Sequence, residues 1–241
     1  ATAAGVMVTN TPDVLNETTA DLGWALLMAA ARRVTESERS LRAGEWVKWT
    51  YDGYMGNDVH GSTVGIIGMG RIGQAVARRS MGFNMKVIYN NRSRLSPELE
   101  AKANNAQYVS REELLRTADH IVLVLPYSAE SHHTIGEKEL AMMKPTATLV
   151  NIARGGIIDD AALIRALKAG QIGAAGIDVF ENEPNFNPGF LELKNVALTP
   201  HIGSASLNTR MAMANTAAGN LIAALSGQTP PNLLNPEVLK K

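Results

Sequence analysis

Three polar side chains of this sequence fall just past short apolar runs, and their types complement one another. Arg154 follows the run 149–153 and precedes Gly155 and Gly156; Glu183 comes shortly after the run 174–177 and Asp178; His201 closes the run 196–200. A guanidinium presents a planar fork that grips a carboxylate and polarises a neighbouring carbonyl. An imidazole exchanges a proton with oxygen near neutral pH, and a carboxylate beside it holds the imidazolium in place. Singly, each residue has an ordinary role open to it: an arginine in a glycine turn, a glutamate before Pro184, a loop histidine after Pro200. It is their recurrence at three successive strand ends that points to a site. The adjacent His132 and His133 do not extend it. Neighbouring side chains diverge, no cysteine or carboxylate pair completes a ligand set, and no metal is expected.

The elements that must position these residues begin at Thr63. The β-branched run Thr63–Ile67 reads as a buried strand, Gly68, Gly70 and Gly73 form Gly-x-Gly-x-x-Gly, and Ile72, Ala75 and Val76 then recur at helical spacing. Gly68 permits a sharp turn, Gly70 a close backbone approach to a pyrophosphate, and Gly73 close packing of helix on strand. An anion then rests on unpaired N–H groups at the helix start. Strand, turn and helix together predict dinucleotide binding.

Downstream, strand and helix alternate, with strands expected at 85–89, 106–109, 121–125, 148–152, 174–179 and 196–198. That alternation is the signature of an α/β fold with a doubly wound parallel sheet of Rossmann type. Ser110 with Glu113 reads as a capping box, Asp159 or Asp160 starts a helix that stops at Gly170, and a last amphipathic helix runs over 206–225. Upstream, Leu22, Ala25, Leu26, Ala29 and Arg33 predict one long helix over 16–39. The stretch 45–61 carries Trp46, Trp49 and Tyr54 with little periodicity and reads as an extended arm suited to a subunit contact or to packing on its own chain.

Lysine plus arginine and aspartate plus glutamate both total 23, so no broad charge footprint marks a nucleic-acid or anionic-membrane partner. The apolar run 22–31 is too short to span a bilayer. With no cysteine there is neither a disulfide nor a thiolate nucleophile, which suits a cytoplasmic protein.

The end of the second strand chooses between dinucleotides. NAD-binding folds of this kind place an acid there to hold the ribose 2′-hydroxyl. Here the chain reads Asn90, Asn91, Arg92, Ser93, Arg94, and no carboxylate occurs between Lys86 and Pro97. Guanidiniums and a hydroxyl bind a 2′-phosphate that a carboxylate would repel, so NADP(H) is expected over NAD(H).

Taken together, Val-Gly-Ile-Ile-Gly-Met-Gly-Arg-Ile-Gly from Val64, Asn-Ile-Ala-Arg-Gly-Gly-Ile-Ile-Asp from Asn151, Ala-Ala-Gly-Ile-Asp-Val-Phe-Glu-Asn-Glu-Pro from Ala174 and Thr-Pro-His-Ile-Gly-Ser-Ala from Thr199 resemble the D-isomer-specific 2-hydroxyacid dehydrogenases. The resemblance covers essentially the whole chain and is strongest toward the NADPH-dependent glyoxylate/hydroxypyruvate reductases, including those acting on 2-ketogluconate. It implies Arg154, Glu183 and His201 as the catalytic trio. The implied cofactor contacts are Gly68, Gly70, Arg71, Ile72 and Gly73 at the pyrophosphate, and Asn91, Arg92, Ser93 and Arg94 at the 2′-phosphate. Leu125, Pro126, Ile152, Ala153, Arg154, Asp178, His201, Gly203 and Ser204 complete the set. The implied reaction is hydride transfer from NADPH to the C2 carbonyl of a short 2-oxo acid, giving a D-2-hydroxy acid, in a homodimer paired through the helix and arm of 16–60. Two other readings of the fold are an NAD-dependent phosphoglycerate-type dehydrogenase and a non-catalytic nucleotide-sensing scaffold of the corepressor kind.

The resemblance also implies a division of the chain. Residues 11–206 are expected to form the dinucleotide-binding domain, with 1–10 and 207–241 as remnants of a discontinuous, flavodoxin-like substrate domain. On that expectation the chain keeps cofactor binding and subunit pairing and shows little turnover alone.

Overall fold

The computed structural model describes residues 1–239; the last two residues of the expected 207–241 segment lie outside the described residues. Two compact units are present, one from Ala20–Gly203 and one from Ala1–Thr19 with the chain from Ser204 onward.

The larger unit is built on seven parallel strands, β1 (Thr63–Ile67), β2 (Lys86–Asn90), β3 (Gln107–Tyr108), β4 (His120–Leu123), β5 (Thr148–Asn151), β6 (Ala174–Ile177) and β7 (Val196–Leu198). Their order is β3-β2-β1-β4-β5-β6-β7, so the chain reverses its winding between β1 and β4. This is the Rossmann-type architecture. β4, β5 and β6 are buried at every position, as strands covered on both faces must be. One face carries α5 (Arg111–Thr117), α6 (Glu137–Leu140) and α7 (Asp160–Lys168), whose Leu114, Leu140 and Leu163 join Leu149 and Ile177 in one apolar cluster. The other carries α3 (Arg71–Ser80) and most of α1 (Asn16–Ala31), where Trp24, Leu27 and Val76 pack with Ile66 and Val150. Trp24 also donates from Nε1 to the Val76 carbonyl at 3.0 Å and stacks on Phe83 at 4.7 Å. A short helix, α4 (Pro97–Lys102), follows β2.

Where the expected helix over 16–39 is concerned, the structure breaks it. α1 ends at Ala31, Arg33 takes a left-handed conformation at φ 53°, and α2 (Val34–Arg42) sets off anew. The cause is tertiary. The arm returns here, Asn57 N donates to the Ala31 carbonyl at 2.8 Å, and a Cβ on Gly56 would lie 2.3 Å from that oxygen. Residues 45–61 hold no helix or strand, and Trp46, Trp49 and Tyr51 stand exposed. Ser110 caps α5 by accepting from Glu113 N at 3.1 Å, and Asp159 caps α7 by accepting from Ala162 N at 2.9 Å.

In the smaller unit, α8 (Leu207–Leu225) is capped by Ser206, and the first ten residues meet the segment from Asn220 to Glu237. Asn235 accepts from Val8 N and donates to the Val6 carbonyl, while Asn220 donates to the Asn10 carbonyl. Among the described residues no helix is long and apolar enough to cross a membrane.

Candidate active site

The carboxyl ends of β4, β5 and β6 surround a cavity of 840 Å³ whose lining includes Arg154, Glu183 and His201. Each arrives there for a local reason. Asn151, at the end of β5, folds back on its own turn: its Oδ1 accepts from Ala153 N at 3.0 Å and its Nδ2 donates to the Arg154 carbonyl at 3.1 Å. Gly155 then passes so near the loop after β6 that a Cβ would lie 1.7 Å from the Phe180 carbonyl oxygen. Only a residue without a side chain brings the Arg154 turn against the segment that carries Glu183.

Glu183 and His201 form a pair. His201 Nδ1 lies 2.7 Å from Glu183 Oε2, and Glu183 Oε1 accepts from Phe180 N at 2.7 Å, so both carboxylate oxygens are engaged. His201 sits at φ 55° with its N–H on the Asp178 carbonyl at 2.9 Å. Asp178 is buried and does not line the cavity. Its Oδ1 accepts from Thr199 Oγ1 at 2.6 Å and Ile202 N at 2.8 Å, and its Oδ2 from Gly203 N at 2.9 Å. This carboxylate shapes the loop that presents His201. On the far side of the pair, Phe180, Phe186, Leu198 and Pro200 line an apolar hollow of 460 Å³ that Glu183 and His201 also touch.

Part of the set expected at the dinucleotide lines two hollows, while Gly70, Arg71, Gly73 and Gly203 line neither. Ile72, Leu125, Pro126, Ile152 and Ala153 line the large cavity; Gly68, Asn91, Arg92, Leu125 and Pro126 line a neighbouring one of 240 Å³. Between them lies the glycine turn. Gly68 has φ 99° and leaves no room for a Cβ against Leu125 N, and a Cβ on Gly73 would lie 2.3 Å from the Gly68 carbonyl. Gly70 precedes α3 with no side chain capping the first turn, which leaves backbone N–H groups there for an anion. These features fit a dinucleotide pyrophosphate. Ser93 and Arg94 lie outside both linings, and Ser204 belongs to the other unit.

Tyr127, His132 and Glu181 line the cavity as well, with His133 and Asp160 behind them; of these five, sequence reading treated the two histidines as loop residues and Asp160 as a helix start. Tyr127 Oη is 3.2 Å from His132 Nδ1, and His132 stacks on His133 at 3.8 Å, so these two side chains converge where neighbours were expected to diverge; His133 Nε2 is 2.8 Å from Glu181 Oε1. Glu181 N donates to Asp160 Oδ2 at 3.0 Å. Burial, with the neighbouring Glu181 and Asp159 charges adding to it, pushes the Asp160 carboxyl up to about 6. Nothing in the spacing of these residues announces that the loops after β4 and β6 meet. No group of three or more histidine, cysteine or acidic side chains suited to a metal occurs among the described residues.

A parallel sheet that reverses direction beside a glycine turn, with polar residues gathered at its carboxyl edge, defines a dinucleotide-binding domain. Residues 24–203 match the D-isomer specific 2-hydroxyacid dehydrogenase NAD binding domain, and the chain belongs to that family. It is 52% identical to a glyoxylate reductase of Thermococcus gammatolerans, over 100% of this chain and 72% of that protein, and 51% identical to one of Pyrococcus horikoshii with the same coverage. A solved structure of an NADPH-dependent glyoxylate/hydroxypyruvate reductase from Sinorhizobium meliloti, in complex with citrate, superposes with a TM-score of 0.86 at 35% identity, covering 97% of this chain and 72% of that one.

Proposed function

We propose that the protein reduces the C2 carbonyl of a short 2-oxo acid to a D-2-hydroxy acid, using NADPH in preference to NADH. The observation that carries this reading is the 2.7 Å Glu183–His201 pair on the same cavity as Arg154. The bound nicotinamide supplies the hydride. The Arg154 guanidinium holds the substrate carboxylate and draws electron density from the adjacent carbonyl. His201 gives its proton to the carbonyl oxygen as the hydroxyl forms, and Glu183 holds the imidazolium that does so. Arg71 and Ile72 at the start of α3 take the pyrophosphate. Ile152, Ala153 and Gly203 would hold the nicotinamide end, which Asp178 serves by fixing the loop of His201.

Glyoxylate is the first substrate to test, since the archaeal relatives are named for it; hydroxypyruvate and 2-ketogluconate are the next. The NADPH preference rests on the absence of any carboxylate between Lys86 and Pro97 and on the exposed Arg92. The exposed aromatics Trp46, Trp49 and Tyr51 support pairing of two copies through the arm. The division into 11–206 as nucleotide domain, with 1–10 and 207–241 as substrate-domain segments, belongs to the same proposal.

The test is absorbance-monitored oxidation of NADPH on addition of glyoxylate, with nucleotide binding titrated separately. Saturable oxidation, with NADPH bound more tightly than NADH, is the expected result. Tight NADPH binding with no 2-oxo acid of the series turned over removes the reductase; equal affinity for the two nucleotides removes the preference.

A further inference from the structure

We propose that the 2′-phosphate of the bound dinucleotide is clamped by Arg92 together with Arg111, and that Arg94 is a brace for the loop and no ligand. The inference rests on the NADP(H) reading above and assigns its residues differently from the run Arg92, Ser93, Arg94.

Arg94 is already committed. Its Nε and Nη2 donate to Glu100 Oε1 and Oε2, each at 2.9 Å, in a two-pronged pair on α4. Glu100 is held further by Tyr89, whose buried hydroxyl donates to Oε1 at 2.7 Å and accepts from Leu95 N at 2.8 Å. The effect on the three groups is consistent. Hydrogen bonds from Arg94 and Tyr89 hold the Glu100 carboxyl down at about 2, while burial and the bond to Glu100 push the Tyr89 phenol up to about 12. At neutral pH the carboxylate is therefore ionised and the phenol protonated, and the pair holds. To meet a phosphate, Arg94 would have to abandon a carboxylate that has few other partners.

Arg92 and Arg111, exposed like Arg94, differ from it in their partners and their place. Both are exposed, both line the 240 Å³ hollow, and neither guanidinium has a hydrogen-bond or ion-pair partner among the described residues. They reach it from two elements, Arg92 from the loop after β2 and Arg111 from the first turn of α5. That hollow adjoins Gly68, Asn90 and Asn91, the place where a dinucleotide's adenosine ribose meets the end of the second strand. Glu130 is the one carboxylate in its lining, so the hollow keeps an excess of positive charge. Two unpaired forks suit a phosphate dianion, which accepts several charge-assisted hydrogen bonds at once. The brace contributes indirectly, since Glu100 and Tyr89 fix residues 94 and 95 and so hold the loop on which Arg92 stands.

The experiment titrates 2′,5′-ADP and 5′-AMP against the protein and against the Arg111→Ala, Arg92→Ala and Glu100→Gln variants by calorimetry. These probes share every group except the 2′-phosphate. Wild-type protein is expected to prefer 2′,5′-ADP, and a wild type that does not discriminate overturns the NADP(H) reading and the clamp with it. Arg111→Ala, at an exposed position, should weaken 2′,5′-ADP about tenfold or more and leave 5′-AMP within about twofold. If both probes weaken alike, Arg111 serves the base or ribose; if neither does, it serves nothing there, and either result overturns the clamp while the wild-type preference stands. Glu100→Gln decides the place of Arg94. A brace predicts weaker 2′,5′-ADP binding with 5′-AMP unchanged; unchanged or tighter 2′,5′-ADP binding makes the freed Arg94 a ligand and overturns the brace.

Discussion

Glu183 touches His201 with one carboxylate oxygen and the backbone N–H of Phe180 with the other, both at 2.7 Å. The second contact fixes the carboxylate, so the imidazole is oriented from a rigid point and not by a swinging side chain. Glu183→Gln keeps the shape and removes the charge. It should lower kcat for glyoxylate reduction by about a hundredfold or more, with NADPH affinity within about twofold of wild type. Steady-state rates and a nucleotide titration on the same sample measure both; a kcat within about threefold of wild type shows that the charge of this carboxylate is not used.

Gly155 and Phe180 make the second relationship on which the cavity depends. A Cβ placed 1.7 Å from a backbone oxygen has no rotamer to escape into, so Gly155→Ala must push the Arg154 turn and the 180–183 loop apart. The strain should cost roughly 3 kcal/mol or more and appear as a lower Tm. Activity should fall further than stability accounts for, because both walls of the site move. An alanine variant with wild-type Tm and rates means the two loops already have slack.

Much of this arrangement is legible in the chain itself. The glycine turn, the strand before it and the short apolar runs within 148–152 and 174–179 carry local signals of their own, and the parallel sheet follows from their alternation with helices. Arg154, Glu183 and His201 are legible because each stands next to a strand end. The break at Arg33 is not, since arginine is no marker of left-handed backbone and its cause is the arm 24 residues after Arg33, at Asn57, closing on Ala31. The Glu100 partner of Arg94 and the His133–Glu181–Asp160 wall are hidden for the same reason. Each joins side chains from different elements, and periodicity along one element says nothing of what faces it.

The buried Asp160 gives the protein a stability that depends on pH. Its carboxyl rises from 3.8 to about 6 in the folded chain, chiefly through burial, so between those values the folded state holds a proton that the unfolded state has lost. Stability from this group is therefore present at acid pH and declines as pH rises to about 6, by about 2 to 3 kcal/mol. Asp160→Asn keeps an acceptor for Glu181 N and cannot ionise. The Tm of the variant relative to wild type should be higher at about pH 7 than at about pH 4. Parallel Tm curves for the two proteins across that range would mean that Asp160 titrates folded as it does unfolded.

Arg154 stands exposed at the cavity, with Nη1 donating to the Ala153 carbonyl at 2.6 Å. That bond pins one edge of the fork and leaves the remaining donors for a carboxylate. Lysine carries the same charge but neither the fork nor the pinned edge. Arg154→Lys should therefore lower kcat/KM for glyoxylate about a hundredfold while NADPH affinity changes little. A mere loss of positive potential would not distinguish the two residues, so the size of the drop reports geometry. Should lysine sustain wild-type kcat/KM, the guanidinium is contributing charge alone, and the carboxylate is gripped by some other group.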